Sequence, residues 1–227
     1  MAHRLAAVAQ RNLATYGDGA KGFTLSMLET AIELSDAQVP TPVLAEILHT
    51  GRALMRHPIE PLPGVADALA VLAALAPLVL ITKGDLIHQE SKLAASGLGR
   101  YFSGVEGVSE KSAATYRQAF LRHGSGPETA LMAGNSVRSD ILPALAAGCW
   151  AVLIPYALVW AHESAEAPAG HPRFRQCVSL GEMAAWLAGL AAPGGLGAAP
   201  ATVPAAGSAA GLAAVRQAAA GIAGDSG

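Results

Sequence analysis

Two cysteines, Cys149 and Cys177, are all that a chain of 227 residues contains. They lie far apart with no Cys-x-x-Cys, which excludes a disulfide scaffold and a thiolate zinc site and points to a reducing compartment. Aromatic residues are 5% and charged residues 14% of the chain, and no basic block occurs anywhere. Fifteen Lys and Arg against seventeen Asp and Glu leave a net charge of −2, so no electrostatic footprint for nucleic acid is present. Long apolar runs are missing too. The strongest, Ala68 to Thr82, is short of the ~20 residues a membrane span needs and is interrupted by Pro77. The uncharged stretch from Met183 to Val215 is too small-sided to enter hydrocarbon, and the start of the chain has no signal-like apolar core. There is no Walker loop, no Gly-x-Gly-x-x-Gly after a strand and no His-Glu-x-x-His. The expectation is a cytoplasmic protein without a nucleic-acid or membrane partner.

What the chain does have is apolar material, 52% of its residues, in a pattern that changes at a proline-rich linker. Residues 1–57 read as helices only, with Leu25, Leu28, Ile32 and Leu34, then Val43, Leu44, Ile47, Leu48 and Leu54, recurring near helical spacing. Gly17, Gly19 and Gly22 mark a loop between two of these helices. His57 to Gly64 is the linker. From 58 to 190 helices and strands alternate. A helix opened by Pro63 leads into Leu78–Thr82, an apolar run that predicts a strand buried on both faces. A helix over 88–96 follows, then a short strand over 105–108. The next helix is expected to start at Ser109 and stop at Gly124. Strands over 130–133 and 150–154 flank a short helix over 141–147, and Ser179 caps a last helix through Leu190. Such alternation predicts an α/β fold with a doubly wound parallel sheet. Residues 191–227, rich in Ala, Gly and Pro, lack the side chains to offset their ordering entropy and are expected to be disordered, with a transient helix over 209–220.

In open α/β sheets ligands bind at the carboxyl ends of strands, and three such places carry polar residues. The first is Thr82-Lys83-Gly84-Asp85, a hydroxyl followed by close backbone N–H groups that suit an anion, or alternatively a polar turn. The second is Lys111, read as lying in the first turn of a helix, where its charge opposes the helix dipole unless it faces an anion or pairs with Glu106 or Glu110. The third is Gly134-Asn135-Ser136-Val137-Arg138-Ser139-Asp140. Here Asn135 and Asp140 can share a hard cation such as Mg²⁺, or else Ser139 or Asp140 caps a helix. Gly134-x-Ser136 is not an esterase elbow, because Arg138 stands where that motif needs glycine.

Taken in order, the threonine at a strand end, the lysine at a later helix start and Gly-Asn-Ser-x-x-Ser-Asp resemble the second, third and fourth motifs of the haloacid dehalogenase-like (HAD) hydrolases. Leu62-Pro63-Gly64-Val65 before the first of these strands, and Ala147-Gly148 ahead of the Trp150 strand, agree with the resemblance, which covers about residues 1–190. It implies a Rossmann-like core over 58–190 and a helical cap segment over 1–57. It also implies a Mg²⁺-dependent phosphomonoesterase acting on a small phosphorylated metabolite. Thr82, Lys83, Gly84 and Lys111 would hold the phosphoryl group, with Thr82 and Lys111 in catalytic roles. Asp140 with Asn135 would hold Mg²⁺. Tyr16, Lys21 and Phe23 are candidate substrate contacts without a motif behind them.

Two departures from the family pattern stand out. Asn135 replaces the more usual aspartate. More seriously, the Asp-x-Asp that supplies the nucleophile after a first apolar strand occurs nowhere in the chain. That strand would lie between the ones ending at Thr82 and Ala133, so its absence is expected to leave two strand edges unpaired. The expectation is therefore a truncated product with negligible turnover. The alternative is a phosphate- or anion-binding pseudoenzyme. Dehalogenation, which the family also hosts, needs the same missing aspartate. The substrate and the oligomeric state are open at this stage.

Overall fold

The computed structural model describes residues 2–17, 19–157 and 165–192. Asp18 and the chain from 193 onward, including the expected helix over 209–220, lie outside the described residues. In chain order the elements are α1 (Ala2–Tyr16), α2 (Ala20–Leu34), α3 (Thr41–Met55), α4 (Val65–Leu75), β1 (Val79–Lys83), α5 (Leu86–Ser96), β2 (Gly104–Val108), α6 (Ala113–His123), β3 (Leu131–Gly134), α7 (Leu142–Ala147), β4 (Trp150–Leu153), β5 (Phe174–Gln176) and α8 (Leu180–Ala191). The α/β alternation agrees with the sequence pattern. The short β5 is an addition to it, since three residues flanked by loop give no periodic signal.

The chain forms two compact units. One comprises Met1–Glu60, Ile81–Gly99 and Gly107–Ser109, the other Pro61–Leu80, Arg100–Glu106 and Glu110 onward. In the first, α1 packs on α2 and α2 on α3. The interior of this helical part is built from small and polar groups: Gly22, Thr24, Ser26 and Thr30 on α2, Gly51 on α3, and Val8 with Asn12 on α1. The leucine stripe of α2 does not form a core. Leu25, Ile32 and Leu34 are exposed, because the small hydroxyl-bearing face is the buried one. Thr24, Ser26 and Thr30 each donate to the carbonyl four residues back, at 2.6, 2.9 and 2.7 Å, which satisfies their hydroxyls inside the packing. Gly51 lets α3 approach: a Cβ there would lie 2.3 Å from Thr24 Oγ1. Gly22 belongs to α2, not to the loop expected from the glycine spacing. A Cβ on it would lie 2.6 Å from the Gly17 carbonyl oxygen, so it is glycine to let the turn close.

In the second unit β3, β4 and β5 form a parallel sheet in that order. β4 has a neighbour on each side and is buried along most of its length. Ala68 and Leu72 of α4, Met183 and Ala184 of α8, Val152 and Cys177 form its core. Burial pushes the Cys149 thiol up to about 12. β1 and β2 form a separate two-stranded sheet. Of β1 only Ile81 is buried, and no residue of β3 is, so the expectation of a strand covered on both faces fails at β1. The physical reason is in the pairing: among the described residues β1 has only β2 as a neighbour and β3 only β4.

On β2, Glu106 accepts from Arg122 Nη1 at 2.7 and 2.6 Å and from His123 Nε2 at 2.6 Å, both at the end of α6. The hydrogen bond from His123, then that from Arg122, hold the Glu106 carboxyl below its ordinary 4.5. A carboxyl lowered in the folded state contributes stability above the unfolded value and loses it as pH falls through the folded one. Thermal melts are therefore expected to drop in temperature on acidification below about pH 4.5, and Glu106→Gln is expected to flatten that acid limb. An unchanged pH profile in the variant would count against the assignment.

Candidate active site

β3 ends at Gly134, and the next six residues make a tight loop. Asn135 is exposed, while Ser136 and Asp140 are buried. Ser136 caps the loop, its Oγ accepting from Ser139 N at 2.9 Å. The cap is thus Ser136 and not Ser139 or Asp140. Val137–Ile141 is a single π-helical turn leading into α7. Turns of this kind admit one extra residue and re-aim the side chains beside them. Here the side chain re-aimed is Asp140. Its Oδ2 accepts from Ser136 N at 3.0 Å, and its Oδ1 accepts from Lys111 Nζ at 2.7 Å. The Lys111 and Asp140 side chains are 15% and 5% exposed, so this is a largely buried ion pair. A Cβ on Gly134 would stand 2.3 Å from Asp140 Oδ2; the carboxylate occupies the space that only glycine leaves.

Lys111 precedes the cap of α6 and does not lie in its first turn as the sequence suggested. Ser112, not Ser109, is the N-cap, with its Oγ accepting from Thr115 N at 3.2 Å. The lysine is outside the helix, pointing to the carboxylate that neutralises it, so no dipole conflict arises. Glu106 is engaged by Arg122 and His123 instead.

The other three motif residues, Thr82, Lys83 and Gly84, close β1 in the first unit, all partly buried. Gly84 has φ 110°, a conformation open to glycine. Asp85 then caps α5, accepting from His88 N at 2.9 Å. Lys21 of α2 reaches the same carboxylate, Nζ to Oδ2 at 2.9 Å. The Lys21 hydrogen bond, followed by that of His88 N, lowers the Asp85 carboxyl. Of the weaker candidates Lys21 is thus brought beside the Thr82 segment. Tyr16 ends α1 and bonds Glu29, and Phe23 lies in α2; neither is in a loop. The two groups, around Asp140 and around Thr82, belong to different units of the chain.

A haloacid dehalogenase-like hydrolase family model matches residues 2–148. A haloacid dehalogenase-like family hydrolase from Xanthomonas campestris is 43% identical, with 80% of this chain covering 72% of that one at a TM-score of 0.70. The chain belongs to the haloacid dehalogenase-like hydrolases. Two more distant structures share the fold. A 2-haloacid dehalogenase from Pseudomonas syringae pv. tomato is 18% identical, over 83% of this chain and 81% of that one, with a TM-score of 0.53. YfnB of Bacillus subtilis, named as a HAD-hydrolase bound to magnesium, is 16% identical over 80% of both chains, at 0.57. No match was found among curated proteins.

Three residues of this hydrolase that hold the motif segments carried no functional assignment from sequence: Asp85 in the first unit, and Ser136 and Tyr116 in the second. The first two are ordinary caps, legible as a serine or aspartate three residues before the amide it accepts. Tyr116, fully buried on α6, donates its hydroxyl to the Ser139 carbonyl at 3.0 Å.

Proposed function

We propose that this hydrolase carries the phosphate- and Mg²⁺-binding part of a phosphomonoesterase site for small phosphorylated metabolites. In this reading Thr82, with the backbone of Lys83 and Gly84, holds the phosphoryl oxygens. Lys111 neutralises their charge, and Asp140 with Asn135 holds the metal. Helices α1 to α3 serve as the cap, with Lys21 as its substrate contact. The observation that carries the reading is the buried Lys111–Asp140 pair beside an exposed Asn135. It presents an ammonium and a hard-oxygen set in one loop cluster.

The donor set fits Mg²⁺, which keeps several waters and needs only one or two carboxylates besides phosphate oxygens. Among the described residues no three His, Cys, Asp or Glu side chains converge, so a metal demanding an all-protein cage is not favoured. When bound, Mg²⁺ would supply charge stabilisation to the phosphoryl oxygens. This chain's residues do the remaining work: Lys111 donates to Asp140, the Thr82 hydroxyl orients the group, and Gly84 allows close backbone approach.

The chemistry also calls for an attacking group, and no Asp-x-Asp is present in the 227 residues. The reading is therefore that this chain binds phosphate and Mg²⁺ without turning substrate over. That same absence favours a second reading, an anion-binding pseudoenzyme. The test is calorimetry with inorganic phosphate and Mg²⁺, an assay with p-nitrophenyl phosphate, and the intact mass of the protein in its native cells. Phosphate binding that weakens in Thr82→Val, with no hydrolysis, is expected. Absence of phosphate binding would overturn the site, and turnover abolished by EDTA would overturn the predicted inactivity. A native mass well above 22.9 kDa, with an Asp-x-Asp peptide, selects the phosphatase; a mass of 22.9 kDa selects the pseudoenzyme.

A further inference from the structure

The π-turn that presents Asp140 runs into a proline, Pro143. In an α-helix the carbonyl of Ser139 would accept from the N–H four residues on, and that residue is Pro143, which has none. The hydroxyl of Tyr116 donates to that carbonyl at 3.0 Å. Tyr116 is 0% exposed, and its ring stacks on Phe120 with centroids 6.0 Å apart, which fixes the direction of the hydroxyl. Five residues earlier on the same segment, Lys111 holds the Asp140 carboxylate at 2.7 Å. One stretch of chain therefore grips two successive residues of the turn, the backbone of 139 and the side chain of 140.

We propose that Tyr116 is a positioning residue for Asp140: its hydroxyl pins the π-turn at the register in which the carboxylate meets both Ser136 N and Lys111. The magnesium part of the test rests on the metal reading given above; the positioning part does not. Tyr116→Phe removes one oxygen and keeps the ring. Phe120→Leu disturbs the ring's support and leaves the hydroxyl, and so reports plain core damage.

The experiment titrates each full-length variant with Mg²⁺ alone by calorimetry and follows amide hydrogen exchange across 136–142. Tyr116→Phe is expected to weaken Mg²⁺ about tenfold, as loss of a group that orients a metal ligand does. It is also expected to speed exchange selectively in that segment. Phe120→Leu is expected to lower the melting temperature with a smaller effect on both readouts. Unchanged Mg²⁺ affinity together with unchanged exchange in Tyr116→Phe would overturn the proposal. If the parent chain binds no Mg²⁺, the metal reading fails and exchange alone decides. Selective acceleration in Tyr116→Phe then supports the positioning role, and equal exchange sinks it.

Discussion

Gly134→Ala is expected to be among the most damaging single-methyl additions in the chain. Its Cβ would lie 2.3 to 2.5 Å from Oδ2, Cγ and Cβ of Asp140. The last of these is fixed to the backbone, so no rotamer change clears the clash. Either the π-turn moves or the carboxylate leaves Lys111 and Ser136 N. Overpacking alone costs about 1–3 kcal/mol, and breaking a buried ion pair about 3–5 kcal/mol. Denaturant unfolding should show a loss on the order of 4 kcal/mol. The double variant Gly134→Ala, Asp140→Gly separates steric conflict from generic damage. It should recover the overpacking part, because the atoms struck by the new methyl are gone. Additive losses would show that Gly134 matters for another reason.

Lys111→Met should destabilise nearly as much. It leaves the Asp140 carboxylate, 5% exposed, with the Ser136 N–H in place of an ammonium. Removing one partner of a buried pair typically costs about 3–5 kcal/mol, whereas neutralising both is far milder. Lys111→Met, Asp140→Asn is therefore expected to be more stable than Lys111→Met alone. Unfolding of the parent chain and these two variants in urea at pH 7 measures this. A double variant worse than the single would mean that the lysine stem, not its charge, supports the site.

Much of this architecture was readable because its signals are local. Gly97 stops α5 after Ser96 and Ser179 caps α8 where the sequence placed a stop and a cap, and the apolar runs became β1, β3 and β4. The polar residues at the end of β1 and after β2 and β3 singled out Thr82, Lys111 and Asp140 as candidates from residue type and order. Errors arose where the deciding interaction is distant in sequence. Lys111 was misplaced into a helix because Ser109 and Ser112 are equally good caps on paper, and its partner Asp140 lies 29 positions away, outside any local signal. The inward face of α2 was not legible, since leucine spacing reports a helix but not which side its neighbours choose. Tyr116 gave no signal because its partner is a backbone carbonyl, which every residue has; Pro143, four places after Ser139, is the one local hint. The coverage of β1 depends on how many strands flank it, which its own five residues do not encode.

The hydroxyl-lined packing of α2 has a thermodynamic consequence. Exposing apolar surface raises heat capacity on unfolding, and exposing polar surface lowers it. Where α2 meets α1 and α3 the buried groups are mainly Thr24, Ser26, Thr30, Asn12 and two glycines, whereas the sheet unit buries Leu, Val, Ile and Met. Melting the helical layer thus carries a small heat-capacity increment per residue, and its stability curve is shallow. The sheet unit, with its apolar interior, follows the steeper dome, so the two parts of one chain respond differently to cooling.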